Sequence, residues 1–574
     1  MIHYLLYQKN PSSHYVYIDL NINNITSDKL VLVLPSWRPG RYELGNFSKN
    51  IKRVDVFNDK NEPISFLKTN KDTWEINTKG ITKIKVTYSY FCNELNAGAC
   101  FADVNQIYIN PVHCCMRVVG FENMLHKIEL NIPKSYKIVS SLPINGSELT
   151  ANNFDELVDS PFVASEQIQT DFYKINNCTF YLHFIGICKP NWEMYKKDFK
   201  AFTETTINFW GDCPVNEYHF IFQVLNHKFY HGVEHQKNTV IAIGPGYAIN
   251  SGETYEDVLG VSCHELFHTW NIKFIRPKEM LPYNYNVENY ARTGYVYEGF
   301  TTYYGDKLLL SSGVFNNDDY FKTLEERLQK HFHNFGRYNL SVANSSLETW
   351  LDGYVPGVPY RKTSIYDEGN LIAFMLDAKI MQITNNSKSL RDVCVLLYER
   401  FGKKNKGYTE QDILTLVNEV SGSNFEEFFS FFIYGANDFE IGLKDAFDYL
   451  GINFDKKQNS NVCENIFGFK AIDTNHFYKL TLVAPYSPAW KAGLFAGDEI
   501  ISINNIIIKN NLNQWLNFFI DDEQINLIVN SADNVKNITL SKDKKGLTYF
   551  SNYKLSLNTE SNNYKIWKTN LMKA

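Results

Sequence analysis

No apolar run in this 574-residue chain approaches the length of a membrane span, so no transmembrane helix is expected. Charge of one sign is not concentrated either. The 57 Lys and Arg stand against 63 Asp and Glu, a formal net charge of −6, with no basic stripe, which argues against nucleic-acid binding. The ten cysteines lack the paired spacing of a zinc ribbon or a disulfide framework, and adjacent Cys114 and Cys115 are poorly placed to share a metal. Free thiols in a cytoplasmic protein are the plainest expectation. Met1–Asn10 lacks the basic start and long apolar core of a secretory leader and reads as a first β-strand.

What the chain has is length and aromatic side chains. Aromatics make up 15% of it, enough for large cores, and its length suits roughly three to four domains. The expected fold is multidomain α+β. Residues 1–168 read as a β-rich domain. Tyr15–Ile22, Leu30–Leu34, Ile81–Tyr90 and His126–Ile132 alternate or run apolar, with Asn, Gly and Pro between them. Within residues 169–455 a β-containing part ends near Gly246 and helices follow. Ser389-x-x-Asp392 and Thr409-x-x-Asp412 read as capping boxes, with Gly402 and Gly422 as stops. Asp455–Asn461 reads as a linker, residues 462–546 as a short strand-rich domain, and residues 547–574 as a polar tail without assignment.

The most specific chemistry lies in Val261–Trp270, where His264, Glu265 and His268 form H-E-x-x-H. On a helix, positions four apart share a face, so both imidazoles can reach one metal ion. Glu265 is then placed to take a proton from a water activated by that metal. Cys263, beside the first ligand, should point away from the metal face. A catalytic zinc needs a third ligand. Glu288, twenty positions after His268, has the spacing of thermolysin-like peptidases. Glu298, thirty positions after it, sits within an aromatic, helix-patterned run from Tyr290 to Leu310, where a carboxylate is costly unless paired. Spacing favours Glu288 and context favours Glu298.

His264–Pro277, Glu288-Asn-Tyr and Glu298–Gly305 together resemble the M61 family of glycyl aminopeptidases, relatives of the M1 aminopeptidases. The resemblance runs from about residue 30 to 545 in ordered blocks. It implies a thermolysin-like, mainly helical catalytic domain holding one Zn2+ per chain on His264, His268 and Glu298. Ser364–Asp377 resembles the family's Y-x-x-G segment, which implies that Tyr366 stabilises the oxyanion. Phe229–Thr239 resembles the G-G-L-E-H segment, which implies that Glu234 anchors the substrate amine, with His235 on the same wall. Two residues depart from the pattern: His231 stands where the family usually has Gly, and Glu368 where it often has Lys.

Pro35–Tyr42 and Leu157–Pro161 resemble the family's amino-terminal segment, whose domain is expected to wall one side of the cleft. Val483–Ile503 resembles the PDZ signature, and Ile466–Phe469 its carboxylate-binding loop. The implied activity is zinc-dependent removal of amino-terminal residues, Gly or Ala by preference, from peptides with a free amino terminus. A peptide ligand at the PDZ-like domain is a further expectation. A zinc endopeptidase, an M1-like bifunctional hydrolase and an inactive peptide-binding scaffold are the alternatives. His227, His231 and His235 recur every fourth residue, but the strand-like sequence around them and Gly232 argue against a second helical metal face.

Overall fold

The computed structural model describes residues 1–355, 357–543 and 546–572. The amino-terminal residues form sheets, as their alternation predicts. In the strand Tyr15–Asn23, Val16, Ile18, Leu20 and Ile22 are all fully buried while their neighbours face outward. This strand lies inside a seven-stranded sheet between Ile2–Tyr7 and Lys83–Phe91. Two four-stranded sheets complete the region, and the main core joins Trp74, Tyr88 and Phe154 to these aliphatic residues.

The next sheet has five strands in the spatial order Gln169–Ile175, Cys178–Ile185, Glu217–Val224, Asn238–Gly244 and Phe229–Glu234. Its central strand Glu217–Val224 pairs in parallel on both sides and is buried on both faces, which accounts for its continuous apolar sequence. Phe229–Glu234 pairs on one side only and is an edge strand. The H-E-x-x-H helix, Gly252–His268, packs against that edge strand and its neighbour.

The helical part is built around close backbone approaches at glycine. A Cβ on Gly299 would lie 2.4 Å from Gly369 Cα, and one on Gly305 would lie 3.2 Å from His264 Cα. Two glycines thus let the helices Tyr295–Ser311 and Asp367–Ile383 touch, and a third seats the first of these on the H-E-x-x-H helix. The segment Tyr295–Phe300 is π-helical. The helix begins at Gly294, so the helical pattern expected from Tyr290 starts four residues late. Both expected capping boxes are present, at Ser389 and Thr409. Gly422 ends its helix in the left-handed region, but the helix expected to stop at Gly402 already ends at Arg400.

In the carboxy-terminal region, Phe469–Asp473 is an edge strand of a small sheet, with the short helices Pro488–Ala492 and Leu512–Phe518. The expected linker is partly a strand, since Asn453–Lys457 pairs with Asn552–Ser556. The expected polar tail returns to the helical core, where Trp567 on the helix Asn562–Thr569 is fully buried and donates to the Tyr303 hydroxyl at 2.9 Å. Residues 544 and 545 of the strand-rich segment, and 573 and 574 of the tail, lie outside the described residues. Among the described residues no helix is long and apolar enough to cross a membrane, and all ten cysteines are free.

Candidate active site

A helix turn brings His264 and His268 together, with their Nε2 atoms 3.0 Å apart. The π-helical segment turns Glu298 toward them, and its Oε2 lies 3.4 Å from His268 Nε2 and 3.7 Å from His264 Nε2. One nitrogen from each His and one Glu298 oxygen therefore fall within 4.8 Å of one another. His268 Nδ1 donates to the Asn271 carbonyl at 2.8 Å, so Nε2 is the nitrogen that faces the cluster. The Asn271 amide is in turn fixed by the Val296 carbonyl and Thr301 Oγ1. On Glu298, the Tyr42 hydroxyl donates to Oε1 at 2.6 Å and leaves Oε2 for the imidazoles.

The electrostatics of this cluster call for a cation. Burial would weaken proton binding by His268, but Glu298, Glu234 and Glu265 overcome it and push His268 up to about 10. Burial raises Glu298, but His268 and His264 outweigh it and hold the carboxylate down to about 2. Glu265 is driven well above the carboxylate range by burial and by Glu234 and Glu298, against His268. Two imidazole nitrogens and a carboxylate oxygen, in a nest of three buried carboxylates, match the donors of a divalent zinc site. Charge demand and donor set thus fit such an ion.

Glu234 and Glu265 are 4% and 5% exposed, and each has a buried oxygen without a partner among the described residues. A Cβ on Gly232 would lie 2.3 Å from Glu265 Oε1, and one on Gly40 would lie 2.3 Å from Glu234 Oε2. These two glycines make the room for the two carboxylates. Tyr366 lies just ahead of its helix and lines the same cleft of about 870 Å³. Its hydroxyl is 3.3 Å from that of Tyr354, which accepts the Tyr42 N–H at 3.1 Å.

The geometry thus brings His264, Glu265, His268, Glu298, Glu234 and Tyr366 to one cleft. His235 is not among them. It is buried, and its Nδ1 meets Asp159 at 3.1 Å, where Lys273 also binds at 2.7 Å. This corrects its expected position on the substrate wall. Strand alternation is the reason: Gly232 and Glu234 face the H-E-x-x-H helix, while the loop past Glu234 turns His235 toward the amino-terminal region. Glu288 lies outside the cleft and ahead of the helix start. Glu368 is buried against His331 Nδ1, with both its oxygens at 2.8 Å, so its departure from the family pattern is an internal pairing and Glu368 does not line the cleft. Tyr42, Asn271 and Gly40 were missed from the sequence, because only contacts with the amino-terminal loop and the helix end give them meaning.

Residues 3–166 match the Peptidase M61 N-terminal domain, residues 257–372 match M61 glycyl aminopeptidase, and residues 480–530 match a PDZ domain. The chain belongs to the M61 peptidase family. As an M61 peptidase it is a hydrolase of the aminopeptidase class. The M61 chain is similar over its whole length, and over the whole of the other chain, to the crystal structure of an aminopeptidase N family protein from Idiomarina loihiensis, with 23% identity and a TM-score of 0.91. That likeness shows a common fold. An M1 zinc metallopeptidase from Deinococcus radiodurans aligns at 12% identity over 78% of this chain and 93% of that one, with a TM-score of 0.43. No curated protein matches the chain.

Proposed function

We propose that this M61 peptidase is a zinc-dependent aminopeptidase that releases small amino-terminal residues, Gly or Ala, from peptides. The observation that carries this reading is the adjacency of two triads sharing His268: His264, His268 and Glu298 on one side, Glu234 and Glu265 on the other. The first triad would hold one zinc ion. When bound, the ion would polarise the attacking water and the scissile carbonyl. Glu265 takes the water's proton and passes it to the departing amine. The Tyr366 hydroxyl donates to the carbonyl oxygen as negative charge develops there. Glu234, buried with a free acceptor oxygen, receives the substrate's ammonium by charge-assisted hydrogen bonds. An ammonium held at that spot fixes the first peptide bond over Glu265, so one residue leaves per turnover. A peptide ligand along the open edge of Phe469–Asp473 belongs to the same proposal, because none of the described strands pairs with that edge.

Release of amino acid from Gly-, Ala- and Leu-linked chromogenic amides tests the reading. Turnover should vanish with chelator, return with zinc, and be greatest for Gly or Ala. Acetylating the amine should abolish it. Equal cleavage of blocked and free peptides would remove Glu234 from its role and point to an endopeptidase.

A further inference from the structure

The edge strand Phe229–Glu234 has two faces. Gly232 and Glu234 turn to the H-E-x-x-H helix, while His231 and Val233 turn to the amino-terminal region. On the second side lies a cavity of about 520 Å³, and His231 lines both this cavity and the main cleft. His231 is therefore the wall residue that the two spaces share, three positions before Glu234 on the same edge strand.

The cavity is built around an unpaired cation. Arg38 is only 5% exposed, yet its single hydrogen bond is a long one, 3.3 Å, to the carbonyl of its own neighbour Pro39. No ion pair reaches it among the described residues. Its guanidinium abuts Gly98, where a Cβ would sit 2.1 Å from Nη2, so the absent side chain at Gly98 is what admits it. His113, 7% exposed and stacked on Phe47 at 3.8 Å, has a buried Nε2 with no partner among the described residues. Burial and the neighbouring Arg38 hold His231 down to about 3, and burial above all holds His113 down to about 4. Both imidazoles are thus neutral donors, and the fixed charge is that of Arg38.

Glu234 is the acid whose charge acts most on Arg38, but no hydrogen bond or ion pair joins the two among the described residues, and the acids on the cavity wall are engaged elsewhere. Glu43 is paired with Arg41, and Glu94 accepts from the Asn96 amide. Cys100 directs its sulfur to the Asn110 backbone. A buried guanidinium with unused N–H groups is costly unless an anion completes it, and its planar fork suits a carboxylate.

We infer that this cavity receives the side-chain carboxylate of an amino-terminal Asp or Glu, so that acidic residues form a second substrate class beside Gly and Ala. The inference rests on the aminopeptidase reading. A residue whose ammonium is held by Glu234 at the strand edge can turn its side chain to the Arg38 side. Gly and Ala leave that space empty, while an acidic side chain adds an ion pair with Arg38 and a donor from His231 or His113.

The test compares Glu-, Gln- and Gly-linked amides on the zinc-loaded full chain, with acetate titrated against Gly-amide turnover in a separate arm. Glu and Gln differ by one charge at nearly constant shape. We expect kcat/KM for the Glu amide to exceed that for the Gln amide by about tenfold or more, the scale of one charge-assisted pair. Arg38→Gln should bring that ratio toward one, and Arg38→Lys should restore part of it. The wild-type comparison stands even if the variants fold poorly. A ratio near one alongside good Gly-amide turnover overturns the inference and leaves the aminopeptidase reading intact. A ratio near one with a saturable, Arg38-dependent acetate effect also overturns it, by assigning the cavity to a free carboxylate. No turnover of any amide removes both.

Discussion

Two buried charged clusters in this protein are built in opposite ways. Around Asp377 every demand is met. One oxygen accepts from Lys307 at 2.7 Å and from the Tyr303 hydroxyl, the other accepts the Leu390 N–H at 2.9 Å, and Lys307 and Asp377 are both fully buried. Around His268 the demands are left open. Among the described residues Glu265 and Glu234 each keep an unpartnered oxygen, and the Nε2 atoms of His264 and His268 are turned on each other at 3.0 Å. A closed network holds structure, here the returning helix with Trp567. An open one is costly by itself and persists because a ligand completes it.

The sharpest way to test this contrast is Glu265→Gln. It should lower turnover by on the order of 10³-fold or more while leaving metal content and unfolding midpoint near wild type. Activity within an order of magnitude of wild type would contradict the role given to Glu265. Next in size is Lys307→Met, which strands a buried carboxylate in the closed cluster. It should cost about 3–5 kcal/mol in denaturant unfolding, with the remaining folded protein active. If it inactivates without destabilising, the closed cluster is not merely structural. Tyr366→Phe should lower kcat by about 10²–10³-fold with KM little changed, as expected for a donor used mainly in the transition state.

Tyr42→Phe removes the hydroxyl that orients Glu298. Zinc affinity should fall by about 10–100-fold, read by competition with a chelator, and activity should recover at saturating zinc. The smallest expected effect concerns pH. Burial would raise Asp159, but Lys273 and His235 outweigh it and hold this carboxyl below its usual range. A depressed carboxyl adds stability above its unfolded pKa of about 3.9 and loses it as pH falls through the folded value. Wild type should therefore lose stability below about pH 4 more steeply than Asp159→Asn, which lacks that titration. Parallel acid limbs for the two proteins would remove Asp159 from this account.

Much of this was legible because the signals were local. The H-E-x-x-H pair follows from helix periodicity, and the two capping boxes and the alternation of Tyr15–Asn23 were read from neighbours a few residues apart. The signals that failed were those that depend on distant contacts. Asp455–Asn461 reads as a linker because its partner strand lies a hundred residues on, and 547–574 reads as a tail because the core that buries Tyr553, Tyr564 and Trp567 is supplied by residues far away along the chain. His235 turns away from the cleft because the strand ends at Glu234 and the following loop directs the imidazole to Asp159, a partner 76 positions earlier.

The sequence by itself determined the helix that carries His264, Glu265 and His268, the β-rich and helical regions, and the motifs that mark an M61 peptidase. These depend on backbone periodicity and on residue chemistry close along the chain. Only the tertiary structure decided that Glu298, Glu234, Tyr366 and Tyr42 converge on that helix, and that Arg38 is buried with no ion pair among the described residues. Those outcomes rest on glycine contacts between helices and on the amino-terminal loop meeting an edge strand, and no periodicity encodes the distance between residues hundreds of positions apart.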